Sequence, residues 1–246
     1  MGCASKRNQY GFTLVEISIV MIIIGLLIGG TFGGMKLIEN MQVNKTVQDL
    51  KAIESAALTF KDTYGRLPGD IVNPAARLPN CTVAPCSTGG NGNRLLDEAT
   101  LWSAAMVANS ERFTFWHHLQ AADLLSVGVN NTTIMDFGEG QPSAPIEGGF
   151  RISHLSGSFG PCPTIVKGGI ILIASDSFAA VGTTNTIMCS QLYSLDKKMD
   201  DGRPFTGRFS NSFSNGGCVV SAGTCDTEYN IVGSGVLYGG IYDAAF

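Results

Sequence analysis

Catalytic apparatus is what this sequence has least of. It carries only three histidines in 246 residues. His117 and His118 are adjacent, so on a helix they point about 100° apart and cannot both face one metal or substrate. His154 falls on a candidate strand, and all three read as surface or packing residues. There is no G-x-S-x-G elbow for a serine nucleophile. The stretch GGNGN at 89–93 has the glycines of a phosphate loop without its Lys and Ser/Thr, so no nucleotide site is expected. Charge is scarce as well, at 15% of residues with a net value of −4, and no Lys/Arg-rich run occurs. That argues against nucleic acid as a main partner, because phosphate binding needs a concentrated basic surface. The cysteines form no C-x2-C pair and have no histidine near them in sequence, which weighs against zinc. An enzyme is not expected.

What the sequence does have is grease at one end. From Ile17 to Met35 there are 19 uncharged residues, against the ~20 that cross a bilayer core as a helix. Lys6 and Arg7 precede the run and place the amino terminus inside. The segment GFTLVEISIVMIIIGLLIGG at 11–30 holds one acid, Glu16, where lipid makes a carboxylate costly. That acid and the run's length argue against an ordinary secretory signal peptide cut near TFGG. Glycines at 25, 29 and 33, and again at 30 and 34, set small faces along the helix, the pattern that lets membrane helices approach closely. Beyond Lys36 the apolar positions become periodic, with Val43, Val47, Leu50, Ile53, Ala57, Phe60 and Tyr64 three or four apart. Gly65 and Pro68 then supply a stop. A helix from Phe12 to Tyr64 would span about 80 Å.

The stretch GFTLVE, Gly11 to Glu16, resembles the processing site of type IV prepilins and type II secretion pseudopilins. The resemblance implies that a prepilin peptidase cuts between Gly11 and Phe12 and methylates the new amine of Phe12. It implies that the apolar helix is kept for assembly, and that Glu16 meets the amine of a neighbouring subunit and sets its register. Residues 12 and 16 are one helical turn apart, so the amine of the same chain is an alternative partner. Another alternative gives Glu16 only a local role at the positive helix N-terminus. Most members of the family carry a proline near position 33, where this chain has Gly33. The stretches YGRLPGD (64–70), FWHHLQAADLL (115–125) and LDKKMDDGRPFTG (195–207) resemble a subgroup of larger pilin-like proteins.

Residues 65–246 read as one ectodomain after a leader (1–11), a membrane or assembly half of the helix (12–35) and an amphipathic half (36–64). The expected class is α+β: a pilin-like ladle, its long N-terminal helix packed on a small antiparallel-sheet domain with disulfide-closed loops. A loop at 79–94, a helix over 111–125 buried on one side, strands at 150–155 and 168–175 and a helix over 189–199 are predicted; the tail alternates too irregularly to assign. Of seven cysteines, Cys3 lies before the apolar run and six lie beyond it. On the far side of a membrane an even set reads as disulfides. Proximity favours Cys81 with Cys86 and Cys218 with Cys225, leaving Cys162 with Cys189 among the 15 possible pairings. Asp196, Asp200 and Asp201, with Gly202 to turn the chain, are candidate calcium ligands; aspartate capping of a helix end is the competing explanation. No other cofactor is expected.

The expectation from residues and resemblance together is a structural subunit that polymerises with its own kind into a type IV pilus-like filament. Its implied partners are the peptidase, an inner-membrane assembly platform and an external ATPase. The precursor would reside in a bacterial inner membrane with its N-terminus cytoplasmic, then pass to a cell-surface or periplasmic filament. A type II secretion pseudopilin is the alternative within the family, and a membrane-tethered periplasmic binding module or enzyme the alternative outside it.

Overall fold

A 51-residue helix, α1 (Leu14–Tyr64), dominates the computed structural model of the chain. The structure describes residues 11–96, 109–126, 134, 136–153, 169–173, 187–211, 218, 228–229, 231, 236–237 and 239–244. Cys3, Lys6, Arg7, His154, Cys162 and Cys225 lie outside these residues. The chain divides into two units, Met1–Met41 and Gln42–Phe246, so the division falls inside α1.

In the first unit the helix is apolar on every face from Ile17 to Met35. Among its large apolar side chains from Leu14 to Ile28, the least exposed is Ile24 at 44%. Hydroxyls do not interrupt this surface, because each bonds within the helix. Ser18 Oγ donates to the Val15 carbonyl and Thr31 Oγ1 to that of Ile28, both at 2.8 Å. In water such a surface would be unsupported; in hydrocarbon it satisfies every backbone group internally. The helix is long and apolar enough to cross a membrane.

In the second unit α1 becomes amphipathic, as the periodicity predicts. Val43, Leu50, Ile53, Ala57 and Phe60 are buried, while Asn44, Gln48, Lys51, Ser55 and Lys61 are exposed. The helix ends where glycine permits it: Gly65 takes φ +71° and its N–H bonds Lys61 O at 2.8 Å. A short turn, α2 (Pro74–Arg77), leads to the loop closed by Cys81 and Cys86, and then come α3 (Glu111–Ala121) and β1 (Gly149–Ser153). Next are β2 (Gly169–Ile173), β3 (Ile187–Met188), α4 (Cys189–Met199), β4 (Phe209–Asn211), β5 (Val236–Leu237) and β6 (Gly239–Tyr242).

Four strands form an antiparallel sheet in the order β1-β2-β6-β4, and β3 pairs with β5 separately. The mixture of helices and antiparallel sheet is the predicted class. Phe150, Ile152, Phe209 and Tyr242 from the sheet join Trp116, Leu119, Leu192 and the α1 stripe in one core. Polar ties hold α1 to β6 and to the residue before β4. Glu54 accepts from Arg208 Nη2 at 2.5 Å and from the Tyr242 hydroxyl at 2.6 Å.

Two expectations are corrected here. Helix α3 was expected to bury one side, but Glu111 through Leu119 are all buried, because other parts of the ectodomain cover its polar face too. The pairings Cys162–Cys189 and Cys218–Cys225 do not form. Cys189 is bonded to Cys218 instead, with their Cα atoms 5.1 Å apart. Distance along the chain favoured the shorter pairing, whereas the fold brings the first residue of α4 beside Cys218.

Candidate functional site at the first turn of α1

The acid in the apolar segment sits in a built arrangement. Gly11, Phe12 and Thr13 precede the helix in non-helical conformation. Thr13 Oγ1 accepts from the Glu16 backbone N–H at 3.3 Å, while the Thr13 backbone N–H donates to Glu16 Oε2 at 2.8 Å. This reciprocal pair is a capping box, which satisfies donors that a helix start otherwise leaves orphaned. The Thr13 hydroxyl also donates to the same oxygen at 2.9 Å. Glu16 is thereby drawn back toward the amino end of the helix, beside Phe12. The T-x-x-E spacing of this box stands in the sequence at residues 13–16. Phe12 is 84% exposed, and among the described residues nothing stands within 4 Å of where a Cβ on Gly11 would lie.

The other candidates fall in the second unit. His117 and His118 are both buried in α3. The Gly69 backbone N–H donates to His118 Nδ1 at 2.8 Å, which makes Nε2 the protonated nitrogen, facing the Cys86 carbonyl at 2.9 Å. Burial holds the imidazole down at about 4, against the pull of the Cys86 carbonyl. His118 is therefore a neutral clamp between the YGRLPGD turn and the disulfide loop. Its ring lies close enough to Cys81 and Cys86 for the three to resemble a metal set, all within 4.8 Å. The disulfide between the two sulfurs removes both thiolates, and backbone groups occupy both ring nitrogens.

Asp196, Asp200 and Asp201 cluster where α4 ends. Asp196 is buried; Oδ1 accepts from Gly202 N–H at 3.1 Å and Oδ2 from the Tyr229 hydroxyl at 2.8 Å. Burial pushes its carboxyl up to about 7, with the charges of Asp201 and Asp200 adding to the rise. Asp201 accepts from Arg203 N–H and the Thr206 hydroxyl, and Asp200 accepts from Arg208 N–H. These bonds make the acids caps of the turn that closes α4.

Sequence reasoning did not single out Asp70, Arg112 or Arg151, all wholly buried. Burial, followed by the charge of Arg112, pulls Arg151 down to about 9. Asp70 stood in the quoted YGRLPGD; nothing in that string distinguishes a buried acid from a turn acid.

Residues 6–32 match a family model described as the prokaryotic N-terminal methylation motif. No curated protein and no solved structure matches the chain.

Proposed function

The methylation motif at residues 6–32 is the signature of type IV pilins and pseudopilins, and from it we propose that this chain is a structural subunit, without enzymatic activity, that polymerises into a type IV pilus-like filament. The motif carries the reading. It implies processing by a prepilin peptidase and, in general, filament assembly.

Two features of the chain support the finer steps. Peptidase cleavage after Gly11 would leave a protonated amine on Phe12, and the capping box holds Glu16 at that same end of the helix. The acid then has a cation to meet, on a neighbouring subunit or its own, in a bundle where an unpaired charge is costly. Among the described residues, the glycines of the apolar helix pack against nothing. A Cβ at Gly25, Gly29, Gly30, Gly33 or Gly34 would meet nothing within 4 Å. Their bare faces suit close approach by other copies of the helix. The precursor waits in the inner membrane, N-terminus inside, and an external ATPase and platform move it into the filament.

Within the family the pilus is preferred to a secretion pseudopilus on the resemblance of YGRLPGD and FWHHLQAADLL to larger pilin-like proteins. Gly11→Val tests the reading. The precursor should insert in the membrane but stay at full length and be missing from sheared filaments; normal filaments from this variant would contradict it.

A further inference from the structure

The loop over 89–95, with the glycines of a phosphate loop but no lysine, is surrounded by oxygen. Glu111 Oε1 accepts from the Asn91 N–H at 2.8 Å and Asn91 Oδ1 from the Asn93 N–H at 2.8 Å. Asp70 Oδ2 accepts from the Arg94 N–H at 2.8 Å and Asn93 Oδ1 from the Leu95 N–H at 2.7 Å. The bonds to Glu111 and Asp70 draw both carboxylates onto a single turn. Gly90 marks how closely the Glu111 carboxylate approaches the backbone at Gly69 and Asp70: a Cβ there would stand 2.4 Å from the Gly69 carbonyl oxygen, 2.5 Å from Glu111 Oε1 and 2.6 Å from Asp70 Cα.

One atom in this arrangement is unexplained. Asp70 is wholly buried, and among the described residues its Oδ1 has no hydrogen-bond partner. Because Oδ2 of the same carboxylate is held at the Arg94 N–H, Oδ1 stays beside the loop. A buried carboxylate oxygen with no donor is costly unless a positive charge meets it. The turn at the end of α4 differs, since its buried acid leaves no such oxygen: both oxygens of Asp196 accept hydrogen bonds.

We propose that Asp70 and Glu111, with the amide oxygens of Asn91 and Asn93 and neighbouring backbone carbonyls, bind one calcium-type divalent cation. Two carboxylates match its charge. The donors are all oxygen, which suits a hard cation, and calcium accepts six to eight such ligands in a flexible shell where magnesium demands a near-ideal octahedron. An amide oxygen has two lone pairs, so a backbone hydrogen bond does not bar it from the metal. The cation would fasten the turn after α1 to the first residue of α3. This site stands apart from the filament reading and does not depend on it.

The test is calorimetric titration of calcium chloride into the full-length chain in detergent after chelator treatment. One saturable site per chain is expected, with a rise in the midpoint of thermal unfolding. Asp70→Asn should weaken binding at least about tenfold, the scale on which even supporting residues of a metal site act. Asn93→Ala, at an exposed position, should also weaken it, and serves if Asp70→Asn fails to fold. Asp201→Asn should bind as the wild type does. The proposal is overturned if the wild type shows no saturable heat with millimolar calcium, if Asn93→Ala and a folded Asp70→Asn bind unchanged, or if Asp201→Asn abolishes binding.

Discussion

Thr13 and Glu16 act as a unit. The hydroxyl both donates to the carboxylate and accepts from the backbone N–H of Glu16, so Thr13→Val keeps the side-chain shape and removes both bonds. Membrane insertion should be unchanged while the yield of sheared filament falls, and Thr13→Ser should restore it. Equal yields from all three chains would show that the cap does not position the acid. His118 works by the same logic in the ectodomain, where its two nitrogens occupy the buried Gly69 N–H and Cys86 carbonyl. His118→Phe fills the space but strands both partners, and should cost about 3 kcal/mol in urea unfolding. A cost near zero would mean that water replaces the ring nitrogens without penalty.

At the scale of elements, disulfides fix the start of α4. The bond from Cys189 to Cys218 closes a separation of 29 residues, and its loss in Cys189→Ser should cost about 2–4 kcal/mol. Non-reducing peptide mapping should recover Cys81 with Cys86 and Cys189 with Cys218, leaving Cys162 with Cys225 as the remainder of the even set. A peptide joining Cys162 to Cys189 would contradict this. Helices α1, α3 and α4 were legible because their apolar residues recur with the helical period. The pairing of Cys189 was not, since chain distance carries no information about which loop crosses the start of α4. Strand β6 was hidden for a packing reason. It lies between β2 and β4, and Gly240 is needed there because a Cβ would come within 2.3 Å of the Phe209 ring. That glycine breaks the alternation by which a strand is recognised. The buried sites of Asp70 and His118 were invisible for a similar reason, since burial of a polar residue depends on what the rest of the chain lays over it.

For the molecule as a whole, two buried groups give stability opposite pH dependences. His118 is held at about 4 in the folded chain, below its ordinary 6.5. On acidification the unfolded chain takes up that proton first, so stability is lost as pH falls from 6.5 toward 4. Asp196 is held at about 7, above its ordinary 3.8. The folded chain binds that proton more tightly, so stability from Asp196 is present in full below 3.8 and is lost as pH rises through 7. The two effects oppose each other between pH 4 and 6.5. Asp196→Asn removes one of them and should lose more stability than the wild type when urea midpoints at pH 7 and pH 4 are compared. Parallel losses would show that Asp196 is not the opposing group.

The functional account rests on one covalent event at the head of α1, which creates a cation beside an acid already held there by Thr13. Mass spectrometry of the N-terminal peptide from the mature protein measures it directly. The account predicts a chain beginning at Phe12 with a methylated amine. A chain that keeps residues 1–11, or begins after the apolar segment, would contradict it.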